Sequence, residues 1–169
     1  MNKDFKKLEK NLGYSFQKKE TLVKALTHVS KSKENNEVFE FLGDSVLNLV
    51  ISQILVEKFS MDDEGTLSLM RSKLVSRTTL NRVAKKLELD SFIITGDSLA
   101  GQETPENILG NALEAIFGAV YKESGLEFIR KIIETTFTRE IELLREGNLK
   151  NSKTLLQEYC CLLYTSDAA

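Results

Sequence analysis

Apolar side chains return every three or four positions along nearly the whole chain, and a single proline, Pro105, interrupts the pattern. That spacing predicts an all-α domain with helices over 3–12, 18–28, 37–59, 66–75, 78–88, 106–123 and 126–146. Thr78 is placed to act as an N-cap for the fifth helix, and Gly125 separates the last two. The run Asp90 to Ile94 has the composition of a short strand, and Gly96 to Pro105 reads as a polar loop. Beyond residue 146 the pattern changes. Residues 147–152 are polar and contain Gly147, as a linker does, and Lys153 to Tyr159 begins a fresh amphipathic helix. The expected organisation is a main domain over 1–146, a linker over 147–152 and the start of a second domain over 153–160. Residues 161–169 read as a non-native tail translated from a sequencing adapter, which genomic sequence encoding them in place would disprove.

Composition narrows the class. An apolar fraction of 41% over 169 residues is enough to build a core. The two cysteines, Cys160 and Cys161, are adjacent and make no disulfide framework, so the fold is expected to stand on packing alone. No uninterrupted apolar run approaches the roughly 18 residues of a membrane span. The Lys-rich start (Lys3, Lys6, Lys7, Lys10) lacks the apolar segment of a signal peptide, so a cytoplasmic protein without a membrane partner is expected. The net charge of −2, from 23 basic and 25 acidic side chains, does not announce a nucleic-acid binder. A protein with carboxylates at its centre and bases on its rim would have the same sum.

The segment Asn36 to Leu47 carries the most chemistry. Glu37, Glu40 and Asp44 stand at i, i+3 and i+7, so a helix stacks three carboxyl groups on one face. Such a face is either a solvated acidic surface near a helix N-terminus or the floor of a cleft. Phe39, Phe41, Leu42, Val46 and Leu47 wrap more of the helix than one core stripe requires, which favours the cleft. Gly43 costs about 1 kcal/mol relative to alanine inside a helix; either a backbone, subunit or ligand approaches there, or the glycine is simply tolerated. Further on, Asn111 and Glu114 form an i, i+3 pair among small and apolar residues. Oxygen ligands from two facing helices suit Mg²⁺ or Mn²⁺, although hydrogen bonds to neighbouring helices would also satisfy the pair. Other metal chemistries lack their ligands. With His28 as the sole histidine, neither a di-iron carboxylate bundle nor a Cys/His zinc site can be built. His28 itself reads as a structural histidine, and no catalytic triad or phosphate-cradling Gly-rich loop is present.

The segment Asn36 to Leu47 resembles the signature motif of ribonuclease III, differing at Val38, usually Arg, and at Phe39, usually Leu. Ala25-Leu26-Thr27-His28, Glu64 to Ser68 with Arg71, Leu74-Val75, Ile108-Leu109 and Ala112 to Ala115 follow in that family's order and spacing. Lys153 to Tyr159 is similar to the first helix of a double-stranded RNA-binding domain. The resemblance implies a homodimeric endonuclease domain that cuts double-stranded RNA with Mg²⁺, or Mn²⁺ in its place, and leaves short 3′ overhangs. It implies metal ligation by Glu40, Asp44 and Glu114, with Asp44 and Glu114 catalytic, and Asn111 at the position of a fourth ligand that is normally Asp. Glu37 and Glu64 match further acidic positions of the cleft. Lys31, Lys33, Arg71, Lys73 and Arg77 are rim bases that could meet phosphates. Gly110 stands where the family usually has Ala. Asn111 removes one charge from the ligand set, so a working enzyme that needs more Mg²⁺ stands beside a weak or inactive duplex-binding protein on the same fold.

Overall fold

The structure, a computed structural model, describes the backbone of residues 5–96 and 105–166 and the side chains of residues 5–96, 105 and 107–145. Most of the predicted loop Gly96 to Pro105, the side chains of 153–160 and the end of the 161–169 tail lie outside the described residues. Among the described residues, six helices and one 3-10 turn follow one another: α1 (Lys6–Leu12), α2 (Lys19–Leu26), α3 (Glu37–Lys58), α4 (Glu64–Leu74), α5 (Arg77–Lys86), the turn Leu89–Ser91, and α6 (Glu106–Ser166). The chain divides into two compact units, Met1–Phe137 and Thr138–Ala169. In the second unit the backbone stays helical, including residues 147–152 where a linker was expected.

The helices form where the apolar period places them, and the first unit closes around α3. Leu47, Ile51, Ile54 and Leu55 of that helix are fully buried, as are Leu8, Leu22, Leu26, Leu74, Leu109 and Phe117 from the elements around it. Each such side chain contributes about 1.5–3 kcal/mol by leaving water. By length and composition α3 is apolar enough to cross a membrane, contrary to the expectation that no apolar run approaches a span. Here it is the core helix, with eight residues buried in the domain.

α5 is capped by Ser76, whose side chain accepts the Thr79 N–H, rather than by Thr78. Thr78 falls inside the first turn, because Arg77 is already helical. The break at Gly125 is as predicted: it takes φ 74° and ψ −174° inside α6, a conformation open to glycine. Just before the break, Glu123 accepts the backbone N–H groups of Gln17 and Lys18 at 3.1 and 3.3 Å, and the Tyr14 hydroxyl donates to the same carboxylate at 3.1 Å. A carboxylate of α6 thereby holds the residues that lead into α2.

The strand expected over Asp90 to Ile94 is instead a 3-10 turn followed by one parallel bridge between Thr27 and Ile94. Glu88 takes a left-handed φ of 56° and turns the chain, and among the described residues the strand-like pairing of this segment is the isolated bridge at Ile94. Ile94 N–H donates to the Leu26 carbonyl and His28 N–H to the Ile94 carbonyl, each at 2.9 Å, while Asn36 N–H donates to the Thr27 carbonyl at 2.9 Å. This clasp fixes the residue from which α3 starts.

Candidate active site

α3 and α6 cross with their backbones in contact. A Cβ placed on Gly43 would overlap the carbonyl oxygen of Glu114 and lie 2.6 Å from its carbonyl carbon and 3.0 Å from the Gly118 nitrogen. One on Gly118 would overlap the carbonyl oxygen of Phe39 and lie 2.9 Å from the Gly43 nitrogen. Only two glycines permit that approach. Of the backbone, subunit or ligand expected to approach Gly43, the structure supplies the backbone of α6 in the same chain.

The crossing gathers the predicted acids. Glu40 and Asp44 flank Gly43 on α3, and Asn111 and Glu114 lie on α6 within two turns of Gly118. Glu40 is half-buried, and burial raises its carboxyl above the ordinary value. A side-chain hydrogen bond from Asn111 opposes that rise, and the charges of Glu37 and Asp44 add to it. Burial pushes the Glu114 carboxyl up to about 7, with the charges of Asp44 and Glu40 adding to the effect and Arg77 opposing it. Four of the six predicted site residues thus form one interacting group.

The other two are placed differently. Glu37, at the start of α3, is exposed and accepts a hydrogen bond from Asn35 Nδ2 at 3.1 Å; its charge still reaches Glu40. Glu64 opens α4 and accepts the Ser68 hydroxyl at 2.8 Å. It lines a separate groove of about 300 Å³ with Ser52, Leu55, Val56, Leu67 and Arg71, and it is not among the charges acting on Glu40 or Glu114.

One contributor, Asn48, went unread in the sequence, and one expected rim base, Arg77, acts inward on the site. Asn48 donates to an Asp44 carboxylate oxygen at 2.9 Å, which its i+4 spacing from Asp44 could have signalled. Arg77 is the cation nearest in effect to Glu114, but nothing in the spacing separates it from the other rim bases. Ser52 accepts from Arg71 at 3.1 Å and ties α4 to α3.

A divalent cation fits the donor set. The group offers only hard oxygen ligands, and burial first, with the charges of neighbouring carboxylates adding to it, raises the proton affinity of Glu40 and Glu114. Among the described residues no group of three or more acidic, histidine or cysteine side chains is placed to hold a metal ion by itself, so a cation here would need water or substrate phosphate as further ligands.

The comparisons agree with this geometry. The sequence profile described as ribonuclease-III-like matches residues 18–141. The chain is 42% identical over 160 residues to Ribonuclease 3 of Shewanella sp. (strain MR-7), covering 93% of this chain and 71% of that protein. It is 43% identical over 157 residues to Ribonuclease 3 of Francisella philomiragia, covering 92% and 68%. Its fold is similar to the nuclease domain of ribonuclease III from Campylobacter jejuni, with a TM-score of 0.75 and 42% identity, over 80% of this chain and 99% of that one. That structure is described for flexibility in a region involved in dimer formation. Dicer from Pichia stipitis is also similar, with a TM-score of 0.63 and 31% identity, over 78% of this chain and 60% of that one. With the acids of α3 and α6 gathered at one helix crossing and the likeness running through most of the sequence, the chain belongs to the ribonuclease III family of endoribonucleases.

Proposed function

We propose that this protein hydrolyses phosphodiester bonds of double-stranded RNA as a cytoplasmic homodimer, leaving short 3′ overhangs, in ribosomal and other RNA processing. Glu40, Asp44 and Glu114 hold the divalent cation in this reading, Asn111 offers a weaker oxygen beside them, and Mn²⁺ substitutes for Mg²⁺. The observation that carries the reading is the gathering of carboxylates about the α3–α6 crossing, where burial first, and then the charges of Asp44 and Glu40, bring Glu114 to about 7. Mg²⁺, when bound, supplies Lewis-acid activation of water for in-line attack and stabilises the leaving 3′ oxygen.

The chain's own residues do the rest. Glu114 gives up its proton near neutral pH, in the range where the cation must bind. Asn48 orients Asp44 and Asn111 orients Glu40, each through one hydrogen bond. Arg77 and the other rim bases Lys31, Lys33, Arg71 and Lys73 meet phosphates, while the duplex is read by shape and 2′-hydroxyls. Residues 153–160 start the RNA-binding domain in this reading.

Asn111 gives the second reading its footing, because an amide that donates to Glu40 adds no negative charge to the site. Asn111→Asp is expected to lower the Mg²⁺ concentration for half-maximal cleavage by roughly tenfold, since ligand charge count tunes divalent-ion affinity. A parent protein inert across millimolar Mg²⁺ and Mn²⁺, with cutting restored by Asn111→Asp, would establish the duplex-binding protein instead.

Dimerisation has its own support. Val38 and Phe41 are 72% and 78% exposed, and with Leu49 and Val56 they form an apolar stripe on the face of α3 turned away from the core. The groove beside Val56 and Leu67 continues that surface. Phe41→Glu is expected to halve the mass measured by light scattering. An unchanged dimer would mean that the subunits meet elsewhere.

A further inference from the structure

Asn81 lies one turn after Arg77 on α5, and Gly110 lies one turn before Glu114 on α6. Arg77 acts on Glu114, and Asn81 faces Gly110: a Cβ built on Gly110 would stand 3.1 Å from Asn81 Oδ1 and 3.6 Å from Leu80 Cβ. Both helices show the i, i+4 interval, so α5 runs beside the first turns of α6 with two matched positions, Arg77 to Glu114 and Asn81 to Gly110.

The Asn81 side chain is an unusual occupant of that place. It is 4% exposed, and neither its Nδ2 nor its Oδ1 has a hydrogen-bond partner among the described residues. Burying an unpartnered carboxamide is unfavourable, so hydrogen bonding does not account for it. Its contact with the α6 backbone does: the amide fills the space that Gly110 leaves. A methyl group on residue 110 would meet it more closely than packed atoms normally sit. Because Asn81 is enclosed, the displacement would pass into α6. The next residue of α6 is Asn111, which is hydrogen-bonded to Glu40.

We propose that Asn81 and Gly110 form a matched spacer that sets the first turns of α6 against α5 and so positions Asn111 and Glu114 toward Glu40 and Asp44. Asn81 is a positioning residue that acts through the α6 backbone. The spacer also accounts for glycine at 110, where the family usually carries alanine. This rests on the reading of the acidic group as a divalent-cation site.

The test is a cycle of Gly110→Ala, Asn81→Ala and the double variant in the full chain, with Mn²⁺ binding followed by calorimetry and metal-free unfolding followed by heat. Gly110→Ala is expected to weaken Mn²⁺ binding by about tenfold, the lower end of what disturbing a ligand's support costs. In the double variant two methyl groups replace the amide, and affinity is expected to return to within about twofold of the parent, the limit of ordinary additivity. Gly110→Ala binding Mn²⁺ as the parent does, or a double variant no better than Gly110→Ala, overturns the spacer. If Gly110→Ala does not fold, recovery of folding and Mn²⁺ binding in the double variant supports the spacer, and no recovery overturns it. A parent chain that takes up no Mn²⁺ overturns the metal reading itself and this inference with it.

Discussion

Glu114→Gln is expected to slow cleavage of duplex RNA at saturating Mg²⁺ by about 10³-fold or more, roughly 4 kcal/mol of transition-state stabilisation. The amide keeps the shape of the side chain and removes the charge that the cation needs from α6. Loss of activity alone would also follow from misfolding, so the informative comparison is stability without metal. In the parent, the folded Glu114 carboxyl titrates at about 7 against an ordinary value of 4.5, so between those values the folded state binds the proton more strongly than the unfolded chain does. Stability contributed by the protonated form is therefore present below about pH 4.5 and is lost as pH rises through about 7. Glutamine is neutral throughout. In EDTA the Glu114→Gln variant should melt above the parent at pH 8 and lose that advantage at pH 4.5, with Mg²⁺ at pH 8 reversing the order. A variant that melts no higher than the parent at pH 8 in EDTA would show that burial and the neighbouring carboxylates do not raise the proton affinity of Glu114.

That gathering of carboxylates was half legible beforehand. Glu37, Glu40 and Asp44 share a helix face by arithmetic, because 3, 4 and 7 residues are close to whole turns, and Asn111 with Glu114 follows the same rule on α6. Which two faces meet depends on tertiary pairing, to which single-helix periodicity is blind. Gly43 announced a close approach, but Gly118, the residue that completes it, lies 75 positions away and looks like any other small residue of a buried helix. Glu64 shows the reverse failure: the family pattern puts it with the acids, while in the single chain α4 carries it to the Arg71 groove. The short segment near Ile94 went astray because Ile93 and Ile94 favour a strand in isolation, whereas after the turn at Glu88 the Ile93 N–H bonds back to the Leu89 carbonyl and the bridge forms at Ile94. Asn81 could not be read at all, since a buried unpartnered amide on an amphipathic helix has no sequence signature.

Gly43→Ala is expected to destabilise the protein by about 3 kcal/mol or more, beyond the usual cost of overpacking, because the added carbon meets backbone instead of a side chain that can rotate away. For a domain of this size that is a fall in Tm of roughly 10 °C. The helices must separate by about the width of a methyl group, and everything suspended between them separates too: Glu40 and Asp44 flank the substituted residue, and Glu114 supplies the carbonyl it strikes. Gly65→Ala, in the exposed first turn of α4, is the control: its added carbon would meet the exposed Asp63 side chain at 3.2 Å, which can give way, and it should stay within about 0.5 kcal/mol of the parent. Gly118→Ala should cost about as much as Gly43→Ala, and the double variant much less than their sum, because the first methyl already opens the crossing that the second would have opened. Additive losses would mean that the two glycines are needed in separate places. A Gly43→Ala protein with parental stability would mean that α3 and α6 do not touch through their backbones, and that the carboxylates are held together by something other than this crossing.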